Sequence, residues 1–371
     1  MLKIPLAMPE LSGNEERYVT EAVRSTWISS TGAFITRFEN EFSRICGTEC
    51  ALSVCNGTVA LHLALLGLDV RRGDEVLVPS LTYVATANAV RYVGAEPVFV
   101  DVDPGTWCMD PKLIEDRITR RTKGIIAVHL YGHPADMDSI NRMAAVHGLW
   151  VVEDAAEAHM ALYKGRTVGG LGRIGTFSFY GNKIFTCGEG GAVTLNDPQL
   201  ETRLKALRGQ GMDPDRRYYF SITGYNFRLS NIACGLLCGQ LERRRELIEK
   251  RQVVFDAYRT QLSSVPGIGF QPVADWAEPS PWLFCITVDE KEYGHSRDDL
   301  ANHLAVLGIE TRPFFMSLHR LPPFREKSML RKERLPVTDT LSACGMNLPT
   351  YVGLKESEIE FISEEIKKYR K

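Results

Sequence analysis

A lysine just past an apolar run can do covalent chemistry, and Ser178-Phe179-Tyr180-Gly181-Asn182-Lys183 holds one, followed by Gly188-Glu189-Gly190-Gly191. Burial penalises the charged form of an amine, so such a lysine can act as a nucleophile and form an imine. Taken alone, a lysine that snorkels from the surface would look the same. The glycines alone mark a tight turn and match neither a dinucleotide fingerprint nor a Walker A loop. Val151-Val152-Glu153-Asp154-Ala155-Ala156-Glu157-Ala158-His159 ends a second apolar run in Asp154. A carboxylate there can keep a pyridine nitrogen protonated, as pyridoxal 5′-phosphate (PLP) requires of an electron sink, or can cap the next helix. In Cys55-Asn56-Gly57-Thr58, Gly57 permits close backbone approach and the opening helix offers free N–H groups to a phosphate. Thr58 could add a hydroxyl, although an ordinary helix cap would use the same residues. Tyr83 closes Ser80-Leu81-Thr82-Tyr83, where its ring could stack on a cofactor or fill the core.

Such groups must be brought to one sheet edge. Runs at 51–54, 75–80, 97–103, 124–131, 149–154, 174–180 and 192–195 read as seven strands. Helical periodicity at 59–68, 84–92 and 137–147 separates the earlier ones. Repeated β-α-β with nearly all-apolar strands predicts an α/β fold with a mostly parallel sheet covered on both faces. Several strands end in polar residues, and ligands of open α/β sheets sit at that edge. After 195 the character changes. Segments 199–207 and 232–250 read as helices, the second ending in a charged face of the solvated kind. Segments 282–288 and 309–313 read as strands of a smaller layer, and 298–307 and 356–368 as helices. A large domain is therefore expected over 1–245 and a smaller C-terminal α/β domain over 246–371.

The composition fits that reading. Its 371 residues suggest roughly two to three domains, and 44% apolar with 24% charged residues is the globular norm. A net charge of −2 argues against nucleic acid and against a polybasic membrane surface as partners. No apolar stretch approaches bilayer length, and no apolar core follows Lys3 to make a signal peptide, so a cytoplasmic protein is expected. Nine scattered cysteines include no C-x-x-C, and neither Cys234 with Cys238 nor His129 with His133 has a third ligand nearby. No metal site is expected, since zinc needs three or four protein ligands.

Further ordered motifs span nearly the whole chain. They are Trp27-Ile28-Ser29-Ser30, His129-Leu130-Tyr131-Gly132, Gly224-Tyr225-Asn226-Phe227-Arg228, and Thr311-Arg312-Pro313 leading to His319. With those above, the chain resembles fold-type-I PLP enzymes, within them the nucleotide-sugar aminotransferases of the DegT/StrS-like group. The resemblance implies that Lys183 is the Schiff-base lysine and Asp154 the partner of the pyridine nitrogen. It implies that Gly57, Thr58 and Ser178 hold the phosphate, that Tyr83 stacks on the ring, and that Asn226 reaches the phosphate of a second subunit. Glu157 falls where many relatives carry Gln, beside cofactor and sugar. Trp27, Ser29, Arg312 and His319 are implied on the substrate side, with Arg312 and the Arg216-Arg217 pair as candidates for a diphosphate.

Three positions depart from the family pattern: Cys187 for Thr, Met160 for Gly and Ser317 for Pro. They bear on sugar preference rather than on the reaction. The implied reaction moves the amino group of glutamate to a nucleotide-linked 4-keto-6-deoxy sugar in a homodimer or higher oligomer. Motifs such as Arg208-Gly209-Gln210-Gly211-Met212 resemble members that convert GDP-4-keto-6-deoxymannose to GDP-perosamine. Other dTDP-, UDP- or 3-keto sugars, and sugar dehydration, are the alternatives. Dehydrating relatives carry His in place of the lysine, and Lys183 is present. A regulator on the same fold would lack Lys183 or Asp154, and an NAD enzyme would show G-x-G-x-x-G after its first strand.

Overall fold

The computed structural model describes residues 4–213 and 215–371, so Met1-Leu2-Lys3 of the signal-peptide expectation lie outside the described residues. All seven expected strands form one sheet: β1 (Cys50–Val54), β2 (Glu75–Pro79), β3 (Glu96–Val100), β4 (Thr122–Val128), β5 (Trp150–Asp154), β6 (Ile174–Ser178) and β7 (Gly191–Leu195). Their order is β1-β7-β6-β5-β4-β2-β3. Only β7 runs antiparallel to its neighbours. Strands β2, β6 and β7 are buried at every position, as a sheet covered on both faces demands.

Helix Gly57–Gly67 shows how local sequence sets the site. Asn56 caps it by accepting from the Val59 amide at 2.9 Å, leaving the first N–H groups at the carboxyl edge of the sheet. Its Ala-Leu-His-Leu-Ala-Leu-Leu run is apolar on nearly every side, and it is packed between the sheet and helix Pro198–Arg208. Asp197 caps the latter and Asp136 caps helix Met137–Val146.

The single helix expected over 232–250 is two, Asn231–Glu242 and Arg244–Leu262. At Arg243 the amide bonds Gln240 O, three residues back, and the tightened turn redirects the chain. The first of the two is largely buried beneath helices Glu15–Arg24 and Ala33–Cys46.

A second sheet has four antiparallel strands, β8 (Ile268–Phe270), β9 (Phe284–Val288), β10 (Arg312–Pro313) and β11 (Gly345–Leu348), in the order β8-β9-β11-β10. Apolar residues of β9 and β11 pack with helices Arg244–Leu262, Arg297–Val306 and Glu356–Tyr369 into a separate core. Residues 282, 283 and 309–311 stand outside the strands expected there. No helix of the described residues is long and apolar enough to cross a membrane. All nine cysteines are free thiols, and among the described residues no three of His, Cys, Asp or Glu converge as metal ligands would.

Candidate active site

The carboxyl edge of the large sheet opens into a cavity of about 730 Å³ whose far wall is Arg312 to Phe315 of the second sheet and its exit. Strand alternation decides which acid of β5 faces it. Glu153 points the other way, accepting the amides of Gly169, Leu171 and Gly172 and pairing with His129. Asp154 lines the cavity. Its Oδ2 accepts from Thr86 Oγ1 at 2.8 Å and its Oδ1 from the Ala156 amide at 3.3 Å. Burial pushes the Asp154 carboxyl up, while these hydrogen bonds and the charge of Lys183 oppose it.

Glu157 stands three residues on, its Oε2 accepting the Tyr131 amide at 2.8 Å. Tyr131 sits at φ 52°, a strained setting for a bulky residue that holds its N–H on that carboxylate. Burial raises the Glu157 pKa and the nearby Lys183 charge opposes the rise. Lys183 leaves the turn after β6, its amide bonded to Tyr180 O at 2.9 Å. The amine lines the cavity, and burial lowers its pKa against the pull of Glu157 and Asp154. A partly desolvated amine next to two carboxylates can exchange protons in either direction.

Opposite lies the N-terminus of helix Gly57–Gly67. A Cβ at Gly57 would stand 2.7 Å from Ser178 Cβ, so only glycine lets the helix close on the end of β6. Thr58 and Ser178 add hydroxyls there, and Tyr83 with Phe315 (centroids 5.8 Å apart) forms an aromatic side wall. This donor set fits a pyridine phosphate: helix amides and two hydroxyls for the phosphate, a buried carboxylate for the ring nitrogen, and an amine between them. Asn182 Oδ1, buried without a partner among the described residues, lines the same cavity.

The structure thus brings Gly57, Thr58, Tyr83, Asp154, Glu157, Ser178, Lys183 and Arg312 together. Trp27, Ser29, Asn226 and His319 do not reach this cavity. Trp27 (60% exposed) and Ser29 lie on a surface segment whose carbonyls accept from Asn231, and Asn226 is exposed on another. His319 is buried, its Nδ1 2.9 Å from Ser80 Oγ, where it braces the chain after β2. Cys187, Met160 and Ser317 do not line this cavity either. Cys187 bonds Glu189 O, and Ser317 bonds Asp339, both outside the cavity lining. Arg216 and Arg217 are exposed over Tyr219 and Tyr218. His129 and His133 are buried structural groups, as His133 shows by accepting the Ala274 amide at 3.1 Å. Sequence reasoning missed Thr86 and Trp282. Thr86 follows Tyr83 by three residues at a helix start, a signal that Asp154 alone makes meaningful.

Comparison with known proteins agrees with this geometry. The family described as DegT/DnrJ/EryC1/StrS aminotransferase matches residues 9–367. A GDP-perosamine synthase of Caulobacter vibrioides is 45% identical over 359 residues, covering 96% of each chain. One from Escherichia coli O157:H7 is 42% identical over 369 residues, covering 100% of this chain and 99% of its own. Among solved structures, a putative sugar aminotransferase from Streptococcus pneumoniae in its PLP-form superposes with a TM-score of 0.91 at 27% identity, covering 99% of this chain and 98% of the other.

Proposed function

This chain belongs to the DegT/DnrJ/EryC1/StrS aminotransferase family with PLP as cofactor, and from that membership we propose that it aminates C4 of GDP-4-keto-6-deoxymannose with glutamate, yielding GDP-perosamine. One observation carries the reaction class: Lys183, Asp154 and the helix start at Gly57 line a single cavity. The choice of sugar rests on the likeness to the two GDP-perosamine synthases.

In this reading Gly57, Thr58 and Ser178 would hold the phosphate, Tyr83 would flank the ring, and Asp154 would serve its nitrogen. Bound there, PLP supplies an electron sink for negative charge developing at the carbon that bears the amino group. Thr86 and the Ala156 amide keep the Asp154 carboxylate aimed and oppose the rise in its pKa that burial causes, so that it could hold a proton on the ring nitrogen. Lys183 would anchor the cofactor covalently, and its amine, lining the cavity beside two carboxylates, could take up and return a proton as base and then acid. Phe314, Phe315 and Trp282 give the cavity an aromatic wall that would limit access of water to the amine. Glu157, its carboxyl pushed up by burial, offers a hydrogen bond on the sugar side, and Arg312 offers a fork for an anionic substrate group.

A panel of GDP-, dTDP- and UDP-linked 4-keto-6-deoxy sugars with glutamate, followed by 2-oxoglutarate release, tests the substrate. The GDP sugar is expected to be preferred. Preference for a dTDP, UDP or 3-keto sugar would overturn the perosamine reading and leave the aminotransferase one standing.

The reading also makes the working unit a cytoplasmic homodimer with domains 1–245 and 246–371. Exposed Trp27, Tyr218 (74%) and Phe220 (53%) are apolar surface that a second copy would cover. Asn226, exposed in the same stretch of chain as Tyr218 and Phe220, would then complete the neighbouring phosphate site. Asn226→Ala should weaken cofactor affinity roughly tenfold or more, the worth of a hydrogen bond to a charged group. Fully active monomers on sizing, or unchanged cofactor affinity, would refute this.

A further inference from the structure

Trp282 is the buried residue best placed to control Lys183. The Lys183 Nζ stands 3.9 Å from the Trp282 ring centroid, over its face. The indole Nε1 donates to the carbonyl of Asn182, the residue before Lys183, at 2.9 Å. One side chain therefore grips the lysine twice: its edge holds the backbone and its face meets the amine.

Trp282 is in turn fixed on every side. It is 2% exposed, its carbonyl accepts from Arg251 at 2.6 Å, and its amide bonds Ser280 O at 2.9 Å. Ser280 Oγ donates to His159 O at 2.7 Å, tying the segment to the chain that follows Asp154. The Tyr131 ring lies nearly parallel to the indole, with centroids 6.2 Å apart. Arg251 is itself buried, with carbonyls of Trp282 and Thr350 as acceptors, so little slack remains in the wall.

A lysine that alternates between covalent anchor and proton carrier needs a place for its ammonium when free. Glu157 and Asp154 act on Lys183 through charge without a hydrogen bond, and neither clamps it. We infer that Trp282 is that place: a positioning residue whose indole face seats the freed Lys183 ammonium through a cation–π contact. The inference rests on the assignment of Lys183 as the anchor. An aromatic face in a partly desolvated wall favours the cation and offsets the burial that disfavours it. An aliphatic side chain would fill the wall without that attraction.

The test uses enzyme loaded with pyridoxamine 5′-phosphate, in which Lys183 is free, and its Trp282→Leu and Trp282→Phe variants. Competitive acetylation over a pH series, read on the Lys183 peptide by mass spectrometry, gives the titration midpoint of the amine. The charged and titratable groups around Lys183 include Glu157, Asp154, Arg312, Glu189, His159 and the phenols of Tyr83 and Tyr180, and all are common to the three proteins. The midpoint should fall by about one pH unit in Trp282→Leu and by less in Trp282→Phe, which keeps an aromatic face. Should the Leu variant not fold, the Phe variant still must show the smaller fall. An unchanged or raised midpoint overturns the inference. Borohydride reduction of the same proteins with PLP separates the two claims. A pyridoxyl group on Lys183 with unmoved midpoints sinks Trp282 alone, and one on another lysine sinks the assignment beneath it.

Discussion

Lys183→Ala is expected to abolish turnover while the protein still binds PLP without a covalent bond. The side chain is a cavity-wall amine whose removal costs no ladder hydrogen bond, so the fold should survive. The helix start at Gly57, with Thr58 and Ser178, remains to hold the phosphate. What disappears is both the anchor and the only amine that lines the cavity among the described residues. The assay follows 2-oxoglutarate from glutamate in the presence of a keto-sugar. Substantial turnover in the variant would remove Lys183 from both roles.

Asp154→Asn should lower turnover by roughly two to three powers of ten, the scale on which one preorganised electrostatic partner matters. Asparagine keeps the size, and its carbonyl oxygen can still accept from Thr86. It removes the negative charge that would hold a proton on the ring nitrogen. The loss should fall on kcat, with far-ultraviolet circular dichroism and thermal midpoint close to the parent. A folded variant with a near-normal rate would reduce Asp154 to a cap at the end of β5.

Much of this was legible because the chemistry sits where local patterns are strongest. The strands of the large sheet are short, mostly apolar runs, and two of them end in polar residues, Asp154 and Ser178, that line the cavity. The helix start at Asn56-Gly57-Thr58 is equally local. Other parts depend on pairings that no single segment encodes. The phenylalanines at 34, 38 and 42 have helical spacing, yet the packing of Phe38 and Phe42 on Phe177 and Phe179 at the end of β6 emerges only when helix and sheet come together. The break at Arg243 interrupts a charged, helix-favouring run and leaves no glycine or proline to announce it. His319 is implied on the substrate side, and no single segment foretells that its ring packs onto Ser80, 239 residues away in the chain. Trp282 reads as the start of a strand. It instead stands before β9 as part of the cavity wall, since its indole N–H finds Asn182 and its face finds Lys183. Sequence thus marks the groups that end strands and open helices, whereas the opposite wall is set by how the second sheet docks.

The most direct test of the central claim is to reduce the PLP-loaded enzyme with borohydride, digest it and map the pyridoxyl group. The mass increment should fall on the peptide containing Lys183, with loss of activity in proportion to labelling. A pyridoxyl group on any other lysine, or an enzyme that remains active after stoichiometric labelling of Lys183, would contradict the account.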